Sequence, residues 1–203
     1  MKSYQFKPYN VGRWLIWSLF AIVLICAPLI FTSNLSGTML AQMGIAIIAC
    51  LSYNILLGQG GMLSFGHAVY TGLGSFVAIH ALNSITAGTS QIPVSLLPLI
   101  GGFAGIGFAI LLGYVTTKKS GTPFAMITLG VAELVFAMSL MFSEFYGGEA
   151  GISGNRVAGP TVWGISYGPQ IQIYYLIAIY TFICVALMYA FTQTPLGKRL
   201  TGI

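Results

Sequence analysis

The 203-residue sequence predicts an all-α, polytopic membrane protein with about six transmembrane helices, and three observations carry that prediction. First, 57% of the residues are hydrophobic and only 5% are charged, with a mean hydropathy of +0.89. A soluble domain carries about 25% charged residues. Second, the apolar residues gather into runs of roughly 20, the length that crosses a bilayer as a helix. Third, the basic residues sit in short clusters between those runs. That spacing is a topology signal, so the net charge of +5 does not point to nucleic acid.

The first span, 14–31, follows Lys2, Lys7 and Arg13. Its apolar run exceeds the ~7–15 residues of a signal-peptide core and no A-x-A cleavage site follows, so it reads as a retained anchor. The second span, 38–57, ends at the glycine-rich tetrapeptide GQGG, 58–61. The third is 62–82. The fourth, 93–116, carries Gly101, Gly105, Ala109 and Gly113 at four-residue intervals, a stripe that admits close backbone approach. Helix packing within the chain is the plain reading of that stripe, and contact with a second subunit is the alternative. Lys118 and Lys119 separate the fourth span from the fifth, 122–143. The loop 144–170 has seven glycines and two prolines and is too long for a simple turn. Its aromatic residues favour an ordered, surface-packed loop. The sixth span, 171–192, precedes Lys198 and Arg199.

Six spans place Lys2, Lys7, Arg13, Lys118, Lys119, Lys198 and Arg199 on one side, with both ends of the chain. The positive-inside rule makes that side cytoplasmic. Arg156, Glu144 and Glu149 fall on the other. Trp14, Trp17, Trp163 and Tyr167 lie near span ends, where amphipathic rings favour the interface. Cys26, Cys50 and Cys184 are widely spaced inside apolar runs and read as reduced packing residues.

Polar groups inside the membrane carry the functional reading. Gly58, Gly60 and Gly61 predict a helix break, and backbone freed in a bilayer is satisfied only by protein or a watery cavity. Ser64, His67, Thr71, Ser75 and Ala78 then recur every three or four residues as a small, polar face. Such a face turns toward the protein interior or a substrate path. His67 has three readings: a bond that holds two helices together, a pathway residue, or a proton carrier. His80, near the outer end of its span, reads as interfacial. Glu133 lies about twelve residues into the fifth span, close to the bilayer centre. A charge there costs on the order of 2.5–3.5 kcal/mol on an insertion scale. Glu133 is therefore expected to be buried in protein, bonded to a neighbouring helix and structural, with a pathway or proton-relay role as the sharper alternative. With GQGG as the inner end of the third span, His67 lies about 9 Å deep and Glu133 about 18 Å, too far apart for a direct pair. The chain has no Walker motif, HExxH or useful carboxylate pair, so no catalytic, metal or cofactor site is expected.

Three segments in order, YNILLGQGGMLSFGHAVYTGLGSFVA, TPFAMITLGVAELV and GGEAGISG, within residues 53–154, resemble the permease subunits of branched-chain amino-acid ABC importers. The resemblance is to the M-type partner of the H/M heterodimer. TPLGKRL at 194–200 resembles the approach to that family's cytoplasmic coupling region. The resemblance implies a transport subunit of the bacterial inner (plasma) membrane, not an enzyme. Its partners would be an H-type permease subunit, two cytoplasmic ABC ATPases and a periplasmic solute-binding protein. Branched-chain amino acids or related small polar solutes would be the cargo. Within that frame Gly58, Gly60, Gly61, Ser64, His67 and Thr71 are candidates for the pathway or gate. Glu149 and Arg156, on the long outer loop, are candidates for contact with the binding protein. Family members are longer past the position of Lys198 and Arg199, so residues 1–203 are expected to form one permease domain that is incomplete relative to the family. A proton-coupled secondary transporter using Glu133 and His67 is the competing reading, and a non-transporting scaffold a third.

Overall fold

The computed structural model describes residues 11–119, 121–157 and 166–200. Among these, six helices are long and apolar enough to cross a membrane, and there is no strand. They are α1 (Val11–Ile30), α2 (Asn34–Asn54), α3 (His67–Thr86), α4 (Leu97–Thr116), α5 (Thr122–Met141) and α7 (Gln170–Gln193). Two short helices, α6 (Ser143–Tyr146) and α8 (Pro195–Leu200), complete the set.

Local chemistry sets the helix ends. Ser33 caps α2, its Oγ accepting from the Ser36 amide at 3.1 Å. Pro98 and Pro123 stand in the first turns of α4 and α5, where a missing N–H costs nothing. The second and third spans differ most from the sequence expectation, which put them at 38–57 and 62–82. The second span runs from Asn34 to Gln59, because α2 continues directly into a π-helical turn, Ile55–Gln59. The third span begins at His67, not 62, because residues 60–66 are not helical.

The helices associate in two groups. In one, α3 and α4 form the most extensive helix contact in the chain. It depends on absent side chains: a Cβ at Gly74 would stand 2.5 Å from the Gly101 carbonyl oxygen. Gly101 and Gly105 thus pack against α3 within the chain, the plain reading of the small-residue stripe. In the other group, α2 packs on α7, with Gly44 against Ile177 and the fully buried Thr181. Trp17 of α1 meets Phe182 and Tyr189 edge-on, and the Tyr174 hydroxyl donates to the Leu24 carbonyl at 2.8 Å. Tyr180 of α7 joins the groups by donating to the Ser95 carbonyl at 2.8 Å.

Arg13, Lys118, Lys119, Lys198 and Arg199 fall at one end of the six-helix array, and Glu144, Glu149 and Arg156 at the other. At the second end, residues 142–157 of the loop pack against α3, and residues 158–165 lie outside the described residues. Tyr146 is buried edge-on to Phe76, ring centroids 4.9 Å apart. His80 Nε2 donates to the Phe145 carbonyl at 2.7 Å and its ring stacks on Phe145. His80 therefore ties the outer segment to α3, more than an interfacial position alone would do. Trp163 lies outside the described residues.

Candidate pathway site at the interrupted helix

The stretch that breaks α2 from α3 turns back into the bundle. The last turn of α2 widens to the π form, with the Gly60 amide bonded to the Ile55 carbonyl at 3.1 Å. Gly61 then adopts φ +61°, a left-handed conformation natural to glycine, and residues 61–64 run without regular structure. The chain next climbs beside α2. His67 Nε2 reaches Ser52 Oγ at 3.0 Å, and the His67 ring meets Tyr53 edge-on at 5.6 Å. Ser52 is seven residues above Gln59, so His67 stands about 10 Å above the end of the span.

α5 pins this segment from the other side. The Thr128 hydroxyl is buried, accepts from the Phe65 amide at 3.2 Å and donates to the Ala125 carbonyl at 2.9 Å. Gly66 lies so close to the Thr128 carbonyl that a Cβ there would stand 2.6 Å from its oxygen. Freed backbone inside the membrane thus finds partners in protein.

Around the break lies a cavity of about 370 Å³, at the end of the molecule that carries the basic residues. Gly60, Ser64 and His67 contribute to its wall, together with Ser52, Tyr70 and Thr116. Leu200 of α8 reaches the same cavity. A second cavity of about 310 Å³ lies between Gly61, Phe65 and the start of α5, including Met126 and Leu129. The site offers hydroxyls, an imidazole and bent backbone in an otherwise apolar wall. Its one hydroxyl–imidazole contact is Ser52 Oγ with His67 Nε2, and no third polar side chain bonds the imidazole among the described residues. No group of three or more His, Cys, Asp or Glu that could hold a metal occurs among the described residues.

The three segments around this site belong to a stretch that matches known proteins. A match to the family described as "Branched-chain amino acid transport system / permease component" covers residues 34–203. The chain belongs to this permease family. Two relatives are both called high-affinity branched-chain amino acid transport system permease protein LivM. The one from Salmonella typhimurium is 29% identical and the one from Escherichia coli 30%, each over 123 residues. The match covers 61% of this chain and 27% of either relative. No solved structure matches. The chain is a multi-pass membrane protein of the permease family.

Within this permease-family chain, the sequence-predicted residues divide. Gly60, Ser64 and His67 meet at the larger cavity, and Gly61 lines the smaller one. Gly58 is exposed on the π-helical turn beside Asn54, and Thr71 is exposed one turn beyond His67. Glu133 departs from expectation. It is exposed and has no hydrogen bond or ion pair among the described residues, where a bond to a neighbouring helix was expected. The reason is rotational: α5 buries Phe124, Ala125 and Thr128, and Glu133 lies on the opposite face. It does not meet His67. Glu149 is exposed on a 3₁₀ turn, and Arg156 is exposed with Nη2 donating to Gln170 Oε1 at 3.3 Å. Sequence reasoning missed Ser52, Tyr53 and Thr128. Their signal was a hydroxyl inside an apolar run, which by itself does not say which helix it will face.

Proposed function

We propose that this chain contributes to a transport subunit of a bacterial ABC importer for branched-chain amino acids or related small polar solutes. The subunit lines the translocation path with a second, H-type permease subunit. Two cytoplasmic ATPases drive it, and a periplasmic binding protein delivers cargo. Its membrane is the bacterial inner membrane, with both ends of residues 1–203 cytoplasmic by the distribution of Lys and Arg. The observation that carries this reading is the permease-family match over 34–203, which contains the interrupted helix and its cavity. The chain spans about a quarter of the length of the relatives it matches, so transport belongs to the whole protein.

In this reading Gly60, Gly61, Ser64 and His67 form the gate, because only irregular backbone lets carbonyls and amides face a path through the bilayer. Gly58 and Thr71 extend that element toward its two ends. Glu149 and Arg156 face the incoming binding protein. The test is radiolabelled leucine uptake by vesicles containing the full protein and its genomic-neighbour subunits. Uptake should require ATP inside and the binding protein outside. Uptake that survives loss of the ATPases and collapses with the proton gradient would establish the secondary transporter instead.

A further inference from the structure

The backbone of residues 60–65 divides the two cavities. Gly60, Met62 and Ser64 line the larger one, and Gly61, Leu63 and Phe65 the smaller, so successive residues point to opposite sides as in an extended chain. Ser64 therefore faces the larger cavity. It is only 4% exposed, and its hydroxyl makes no hydrogen bond among the described residues. Gln59 Oε1 is the one side-chain polar atom there that is both unbonded and sealed off, so Ser64 Oγ opens on the cavity. α3 begins beside it. The cap residue, Gly66, has no side chain to satisfy the first turn. The amides of His67 and Ala68 find no acceptor among the described residues. Ser64 and His67, on either side of the cap, both line the cavity. The helix thus starts inside the membrane, about 10 Å above the end of the second span, with donors that lipid does not satisfy. We infer that the Ser64 hydroxyl and the first amides of α3 bind a carboxylate group, and that the ligand is a small aliphatic carboxylate.

Charge selects the anion. A helix N-terminus carries about half a positive charge, and its amides and the hydroxyl are all donors. No Asp or Glu lines the cavity among the described residues, so an ammonium group meets no opposite charge there. Lys118 and Lys119 follow Thr116 and Thr117 of the cavity wall and favour entry of an anion. Shape and polarity select the rest of the ligand. Leu56, Met62, Phe124 and Phe191 line the same space, and about 370 Å³ suits a small molecule. A short-chain carboxylate matches both halves, its head on the α3 terminus and its chain on the apolar wall. His67 Nε2 is engaged with Ser52 Oγ, so the imidazole is not required as the counter-charge. That the carboxylate belongs to transported cargo rests on the proposed function; the binding site does not. In that frame the site reads the carboxylate of the cargo and leaves an amino group unread.

The experiment uses the full protein with its neighbouring subunits in lipid nanodiscs, in a cysteine-free background and without the binding protein. M62C places a thiol on the larger cavity, and M126C places one on the smaller cavity as the control. The rate of reaction with neutral methyl methanethiosulfonate is measured against rising 4-methylpentanoate or 4-methylpentylamine, which share a carbon chain and differ in head group. The acid should slow M62C saturably and leave M126C unchanged, and the amine should slow neither. Adding S64A should raise the acid concentration needed about tenfold, through loss of a hydrogen bond to a charged group, while S64T should stay within about threefold. S64D, which sets a carboxylate at the site itself, should abolish protection. Equal protection by the amine, protection that S64A leaves unchanged, or no protection at all would overturn the proposal. The last is also the outcome if a carboxylate side chain elsewhere in the full polypeptide occupies the site. Should M62C prove unreactive, saturation-transfer NMR of the same two probes on the parent and S64A proteins makes the same comparison. Binding is read without ATP or transport, so this site can fail while leucine uptake stands, and can stand while uptake fails.

Discussion

Thr128 ties two elements together with one hydroxyl, because it bonds its own helix and the irregular segment beside it. Replacing it by Val keeps the shape and leaves the Phe65 amide without that acceptor. A net loss of about 1 kcal/mol is expected, read as a lower unfolding temperature of the purified protein. Gly66→Ala should cost more, about 1–3 kcal/mol, because its methyl meets a backbone carbonyl that cannot rotate away. If Gly66→Ala is as stable as the parent, the close approach to α5 is not present. His67 differs from both. Its partner Ser52 lies on α2, so His67→Ala releases a bond between two membrane elements without opening a steric conflict. Glu133 shows how far a single side chain's meaning depends on its surroundings, since depth follows from counting along α5 and exposure does not.

At the scale of elements, the bundle is held by glycine contacts as much as by large side chains. The α3–α4 pair closes through Gly74 and Gly101, and the α2–α7 pair through Gly44. In a bilayer the hydrophobic effect does not drive helices together, so close packing and interhelical hydrogen bonds carry the association. Gly74→Val should therefore separate α3 from α4 and lower the yield of folded protein in detergent severalfold. Gly102→Val, one residue along α4 from Gly101 and with nothing within 4 Å of its Cβ position, should leave yield near the parent level. Equal yields for the two variants would remove glycine packing as the cause. The ordered segment 142–157 is an element of the same kind: His80 and Thr86 of α3 bond its carbonyls, which keeps a polar backbone packed at the helix end.

For the whole molecule, the separation of basic and acidic residues to opposite ends predicts the orientation. A cysteine at Ser153 should react with an impermeant reagent from the periplasmic side, and a cysteine at Lys118 only after the membrane is opened. The reverse pattern would invert the orientation. Arg156 and Glu149 stand on the side opposite the basic clusters. Arg156→Glu in the complete complex should weaken stimulation of ATP hydrolysis by the binding protein, most strongly at low salt, because exposed charges act chiefly on association rate. Unchanged stimulation at every salt concentration would take Arg156 out of that contact.

The sequence by itself determined the fold class, the six spans, their alternation and the glycine-rich interruption. Each of these depends on one-dimensional quantities: the length of an apolar run, the spacing of cationic residues, the helix-breaking character of glycine. It predicted Ser64 and His67 on one helical face, but Ser64 precedes α3, and the two meet at the cavity through the fold of the irregular segment. What tertiary structure decided is which faces meet. Ser52 and Thr128 meet the segment 60–66 because two other helices flank it, and nothing in their local sequence names that neighbour. The start of α3 moved from 62 to 67 because residues 60–66 re-enter the bundle and satisfy their backbone against α5. Glu133 turned outward because α5 buries Phe124, Ala125 and Thr128. Rotation of a helix about its axis is set by packing against its neighbours, and a uniformly apolar span carries too weak a one-sided signal to reveal it.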